Sequence, residues 1–173
     1  MDKQIVLNFV SAINEHDVDK ICSLMADDHK FVDSQGNEVV GKEKMRTGWI
    51  GYFQLFPDYR TEITDMFFNE DTVAAFGFAS GTFQGKSDRK ENYWRLPASW
   101  KAVVKNGKIY LWQVYADSKI PFDIINKPPL ALQKFPERML FHNMVVGSRR
   151  NTSPDYLIES IARLLPPWLF HFS

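Results

Sequence analysis

Along the first 56 residues, apolar positions recur at spacings of three and four. Ile5, Phe9, Ala12 and Ile13, widened by Val6 and Val10, lay one stripe along a helix over residues 3–15. The polar run Asn14-Glu15-His16-Asp17 interrupts it. Asp17 is placed to cap a second, shorter helix whose Val18, Ile21, Cys22 and Met25 face inward. A third stripe, Met45, Trp49, Phe53 and Phe56 with Tyr52 at its edge, predicts a helix over 42–56 that Phe56-Pro57-Asp58 stops. Gly48 and Gly51 weaken that helix by about 1 kcal/mol each relative to alanine, so they are expected where it packs tightly on a sheet. Beyond Pro57 the period drops to two. Strands are expected at 59–68, 72–83, 90–104 and 108–116. The turns between them are Asn69-Glu70-Asp71, Gln84-Gly85-Lys86-Ser87-Asp88 and Lys105-Asn106-Gly107-Lys108, the last a strong hairpin signal.

Between the second and third helices runs Ala26-Asp27-Asp28-His29-Lys30-Phe31-Val32-Asp33-Ser34-Gln35-Gly36, closing at Gly41. It reads as an acidic turn that feeds a short strand at 31–33. Gly36 and Asn37 then turn the chain, and Gly41 opens the third helix. A carboxylate ending a strand, as Asp33 does, can sit at a pocket mouth or can cap its own turn through backbone N–H groups. His16 reads as a solvated loop residue, and His29 lies in the acidic turn with no second histidine near it in sequence. Three helices, then four strands in hairpin order with one short strand added, predict an α+β domain. Its sheet is expected to be curved, mostly antiparallel and covered on one face by helices.

Composition adds exclusions. Of 173 residues 45% are hydrophobic and 14% aromatic, with 14 phenylalanines, so a core or pocket is expected to be strongly aromatic. Lys plus Arg and Asp plus Glu balance at 21 each, which leaves no global electrostatic case for a nucleic acid or an acidic membrane. One cysteine, Cys22, allows neither an internal disulfide nor a Cys-rich metal site and reads as a small buried hydrophobe. No metal-binding His spacing, glycine-rich phosphate loop, GxSxG elbow or thiol–imidazole pair is present, so no metal and no cofactor are expected. With neither a cationic leader nor an apolar run of spanning length, the expected compartment is the cytoplasm. The character of the chain changes after Lys127, beyond which lie six of the nine prolines, including Pro128-Pro129 and Pro166-Pro167. Residues 1–127 are read as one domain. Residues 128–173, with a helical signal at 154–165, are read as an arm on that domain or on a partner, or as a non-native extension.

From Phe9 to Asp117 the chain resembles the SnoaL-like branch of the NTF2-like superfamily, which includes ketosteroid isomerase and polyketide cyclases. The resemblance is carried by Phe9-Val10-Ser11-Ala12-Ile13-Asn14-Glu15-His16-Asp17-Val18-Asp19, Met25-Ala26-Asp27-Asp28, Phe31-Val32-Asp33 and Gly41. It continues in Asn106-Gly107-Lys108-Ile109 and Val114-Tyr115-Ala116-Asp117. It implies a cone of three N-terminal helices packed in a strongly curved sheet, an apolar pocket inside, and a homodimer through the outer sheet face. It also places Asp33 at the position of the isomerase's base, Phe9 at that of its oxyanion tyrosine, and Ser99 at or next to that of its protonated aspartate. Phenylalanine has no donor and serine only a neutral one, so steroid isomerisation by that mechanism is not expected.

What remains is an aromatic-lined pocket with one carboxylate. Trp49 and Phe53 are candidates to line it from the third helix, Tyr93 or Trp94 and Trp100 from the long strand. Trp112 is turned inward by the resemblance. The facing of residues 93–100 stays open, because Pro97 is a candidate bulge position. Arg95 either binds a carboxylate or carbonyl oxygen or projects into solvent. The outer face is expected to form a homodimer, because one face of 72–83 and 90–104 covers the helices while the other still carries Phe and Trp residues. The expected partner is a small, largely apolar molecule of polyketide, steroid or terpenoid kind, with Asp33 as acid/base if a reaction occurs. The alternative is a non-catalytic ligand-binding or dimeric association module, which Phe9 and the weak donor at Ser99 favour.

Overall fold

The computed structural model describes residues 2–85 and 90–126. The segment 128–173, with its helical signal and domain boundary, lies outside the described residues. The N-terminal apolar stripe becomes α1 (Asp2–Asn14), whose Val6, Phe9, Ala12 and Ile13 lose essentially all solvent contact. Asp17 caps α2 (Val18–Leu24) by accepting the Lys20 N–H at 2.9 Å, as the sequence predicts. Helix α3 (Lys42–Leu55) opens at Gly41, whose φ of 106° suits glycine. His16 is not a free loop residue. Its Nε2 lies 2.9 Å from the Tyr59 carbonyl, and its ring stacks on Phe53 at 4.3 Å.

The acidic turn proves to be strand. β1 runs Met25–Val32 and continues into the Asp33 turn, and β2 (Glu38–Val40) returns antiparallel beside it. β3 (Arg60–Asn69), β4 (Thr72–Thr82), β5 (Tyr93–Lys105) and β6 (Lys108–Ala116) follow the predicted period-two stretches. They form one six-stranded sheet in the order β2-β1-β6-β5-β4-β3, antiparallel throughout except for the parallel pair β1–β6. The α+β cone is therefore present, with α1 against β3–β6 and α3 against β1 and β2. Gly77 marks the tightest approach within the sheet. A Cβ there would lie 1.8 Å from the Glu62 carbonyl oxygen, beside the β3 bulge between Ile63 and Asp65.

Two local outcomes position the site. Burial in β5 keeps its inward-outward rhythm through Pro97, and its pairing with β4 runs unbroken, so Pro97 marks no bulge. Pairing of β5 with β6 begins at Ala98, so Pro97 lies just past the end of β6, where a missing N–H costs no ladder bond on that side. A short helix absent from the sequence reading, α4 (Lys119–Ile125), follows β6 and brings Pro121, Phe122 and Ile125 over the open end of the cone.

Candidate functional site

The concave face of the sheet, α3 and α4 enclose a cavity of about 130 Å³. Helix α3 supplies Met45, Gly48, Trp49 and Tyr52, and the chain beyond it adds Phe56 and Tyr59. The sheet supplies Trp94, Leu96 and Ala98 from β5 and Trp112 and Val114 from β6. At the mouth, Asp33, Ser34 and Gln35 of the β1–β2 turn face α4. A 3.0 Å hydrogen bond from Ser34 Oγ to Ser118 Oγ ties that turn to the start of α4. The aromatic walls interlock: Trp94 meets Phe56 at 87° and 5.4 Å, and Tyr52 meets Tyr59 at 82° and 4.9 Å.

Asp33 occupies both positions that its sequence context offers. It lines the cavity mouth and also caps its turn. Oδ1 accepts the N–H groups of Gln35 at 2.9 Å and Asn37 at 2.8 Å, and Oδ2 accepts Asn37 Nδ2 at 2.8 Å. A carboxylate offers about four lone-pair sites, so these three bonds fix its orientation and leave one site on Oδ2.

Of the other candidates, Trp49 and Trp112 line the cavity with Asp33. Phe9 is fully buried behind Trp112, at 5.1 Å between ring centroids, and Trp100 stacks on Trp112 at 6.3 Å. Both are wall-supporting core residues. Phe53 turns away to stack between Trp49 and His16. Arg95 and Ser99 belong to the outer face. Arg95 pairs with Glu62 at 3.0 Å and lies 3.6 Å over the Phe78 ring. The parity of β5 turns Ser99 outward and its neighbour Ala98 into the cavity, so the position near Ser99 contributes no donor to the site.

Among the cavity residues that the sequence reading did not nominate are Tyr52, Phe56 and Tyr59. The inward stripe is Met45, Gly48, Trp49, Tyr52 and then Phe56 just past α3, rotated from the predicted Met45, Trp49, Phe53 and Phe56 so that Tyr52 replaces Phe53, and spacings of three and four carry it equally well. Burial pushes the Tyr52 phenol well up and the Tyr59 phenol up, so both hydroxyls are neutral potential donors. Among the described residues the indole Nε1 atoms of Trp49 and Trp94 have no acceptor, nor does His29 Nε2 have a partner. His29 is fully buried on β1, its Nδ1–H donating to the Ile109 carbonyl at 2.8 Å, and burial pulls its pKa down. No group of three or more metal-ligating side chains occurs among the described residues, and no described helix is long and apolar enough to cross a membrane.

The sequence profile of the SnoaL-like domain matches residues 6–112. No curated protein matches the chain. Among solved structures, a candidate SnoaL-like polyketide cyclase from Jannaschia sp. CCS1 is similar, at 16% identity and TM-score 0.64, covering 74% of this chain and 93% of its own. AclR, a candidate hydroxylase from Streptomyces galilaeus, shares 19% identity at TM-score 0.60 over 92% of this chain and 94% of its own. A hypothetical protein with a ketosteroid isomerase-like fold from Catenulispora acidiphila DSM 44928, solved in complex with trimethylamine, shares 19% identity at TM-score 0.57. That match covers 64% of this chain and 83% of the other.

Proposed function

Because the chain belongs to the family of SnoaL-like domains, we propose that it binds a small, largely apolar ring molecule in the cone, with Asp33 as the group that accepts and returns a proton. The observation that carries this reading is an aromatic-walled cavity with one oriented carboxylate at its mouth. Size refines the ligand. An apolar cavity of about 150 Å³ holds benzene, and the space here is about 130 Å³. A polyketide, steroid or terpenoid skeleton would therefore enter by one ring and leave the rest at the mouth beneath α4. Phe9 and Ala98 supply no oxyanion donors, which argues against the isomerase's tyrosine–aspartate arrangement. The buried hydroxyls of Tyr52 and Tyr59 are the neutral donors to which a ligand oxygen could turn.

The test is capture of a ligand from a metabolite extract, then turnover by wild type and Asp33→Asn. Loss of a general base costs about 10²–10⁴-fold in rate. The expected result is a loss of that size in the turnover of bound ligand, and unchanged turnover removes Asp33 from the mechanism. Binding with no turnover in either protein supports the non-catalytic alternative.

A second copy of the chain is the proposed partner of the outer sheet face. Phe67, Phe76 and Tyr115 are 64%, 45% and 50% exposed there, and Phe76, Ser99 and Tyr115 stand in one cross-strand row. Sedimentation at micromolar concentration is expected to give a dimer that Phe76→Glu dissociates. A monomeric wild type contradicts this.

A further inference from the structure

Charge distinguishes the cavity more sharply than size does. Among the described residues that line it, Asp33 is the one that carries a formal charge. Three cations on neighbouring elements are engaged with carboxylates: Lys30 with Glu38 on β2, Lys119 with Asp123 on α4, and Arg95 with Glu62 on the outer face. No cation is among the described lining residues to neutralise an anionic ligand. Apart from the neutral polar residues Ser34, Gln35 and Ser118, the rest of the described wall is apolar or aromatic, and aromatic rings present negative faces that attract cations. Asp33 itself is an oriented carboxylate with its capping bonds made and one Oδ2 lone-pair site left among the described residues.

We infer that the cavity selects an amine: an apolar ring molecule bearing a protonated nitrogen, the ring among Trp49, Tyr52, Phe56 and Trp94 and the ammonium N–H donated to Asp33 Oδ2. This inference rests on the ligand-binding reading of the same cavity and narrows it. Three features act together. The aromatic wall receives the apolar body and attracts the charge. The carboxylate forms a charge-assisted hydrogen bond with a donor that a neutral alcohol matches only weakly. The lack of a cation among the described lining residues disfavours carboxylates of similar size. Asp33 is then held in place by its own turn and needs no reorganisation to receive the ligand.

Benzylamine, benzyl alcohol and phenylacetate share one benzyl group and carry three different charges. Titrated into the full chain at neutral pH and followed by calorimetry and by tryptophan fluorescence, benzylamine is expected to bind about 10- to 100-fold more tightly than benzyl alcohol. Phenylacetate is expected to bind more weakly than the alcohol. In Asp33→Asn the amine is expected to fall to the affinity of the alcohol measured with the same variant. The wild-type series decides by itself if that variant does not fold. Equal binding of amine and alcohol, tighter binding of phenylacetate, or an amine preference that persists in Asp33→Asn overturns the inference and leaves the cavity as a site for neutral ligands. Failure of all three probes to bind at millimolar concentration overturns both the inference and the cavity reading.

Discussion

Replacing His29 is expected to remove an acid-sensitive component of stability. The ring is fully buried on β1, and its Nδ1–H is committed to the Ile109 carbonyl, so Nε2 carries the lone pair and has no partner among the described residues. Burial, opposed by the Ile109 bond and by Asp28, pulls its pKa below the ordinary value of 6.5. The sign follows from linkage. In the unfolded chain the imidazole takes up a proton as the pH falls through about 6.5, whereas in the folded chain it does so only at lower pH. The contribution is therefore fully present above the unfolded value and is lost as the pH falls through the window down to the folded value. Within that window the loss approaches about 1.4 kcal/mol per pH unit, or roughly 3–6 °C in melting temperature for a chain of this size. The assay is a series of thermal or urea melts between pH 7.5 and 5 on wild type and His29→Leu. Leucine leaves the Ile109 carbonyl without its donor, which lowers stability by about 1–3 kcal/mol at every pH. The reasoning requires the two curves to converge as the pH falls below 6.5. Parallel curves, or a wild type that gains stability in acid, would refute it.

Gly77→Ala is expected to cost about 3 kcal/mol or more, because its Cβ would meet the Glu62 carbonyl oxygen at 1.8 Å; a melting temperature within 2 °C of wild type, roughly 1 kcal/mol, would show that β3 yields easily. Gly48→Leu should place a side chain in the cavity while adding about 1 kcal/mol of helix propensity, so probe binding is lost and the melting temperature holds or rises. Unfolding would instead mean that α3 has no room at this position. Truncation after Lys127 is expected to leave a soluble protein with one cooperative melt, and loss of folding would make the C-terminal segment integral to the domain.

The first three helices and the four long strands were legible because their apolar positions recur at helical or strand spacing over many residues. Only the end of β1, at Phe31 and Val32, was legible, and its register with β6 explains why the rest was not. Met25 pairs with Ile109 and Lys30 with Leu111, so five steps along β1 oppose two along β6. The bulge leaves Asp27 and Asp28 both exposed and turns His29 inward, a pattern that imitates a polar turn. The parity of β5 was unreadable for a different reason. Pro97 signals a bulge or an edge equally, and only the length of β6 decides between them. Asp33 became a candidate from its place at a strand end, whereas its donors, Gln35 and Asn37, depend on the geometry of the turn. α4 carries an apolar triplet too short for any periodic signal, and its role comes from where the cone ends.

The parallel pairing of β1 with β6 also has a consequence in time. His29 and Ile109 meet across 80 residues of sequence, and no turn brings them together early, so closing the cone carries a large loop-closure entropy late in folding. On the ribosome, at about 5–20 residues per second, the first three helices and β1 wait several seconds for β6 to emerge. Until then the cavity lacks the side of its wall that Trp112 and Val114 supply. The cavity is thus the last part of the domain to exist, and the nascent chain exposes its most aromatic surface for longest. Aggregation during synthesis is expected to depend on how quickly residues 108–116 follow, more than on the final stability of the fold.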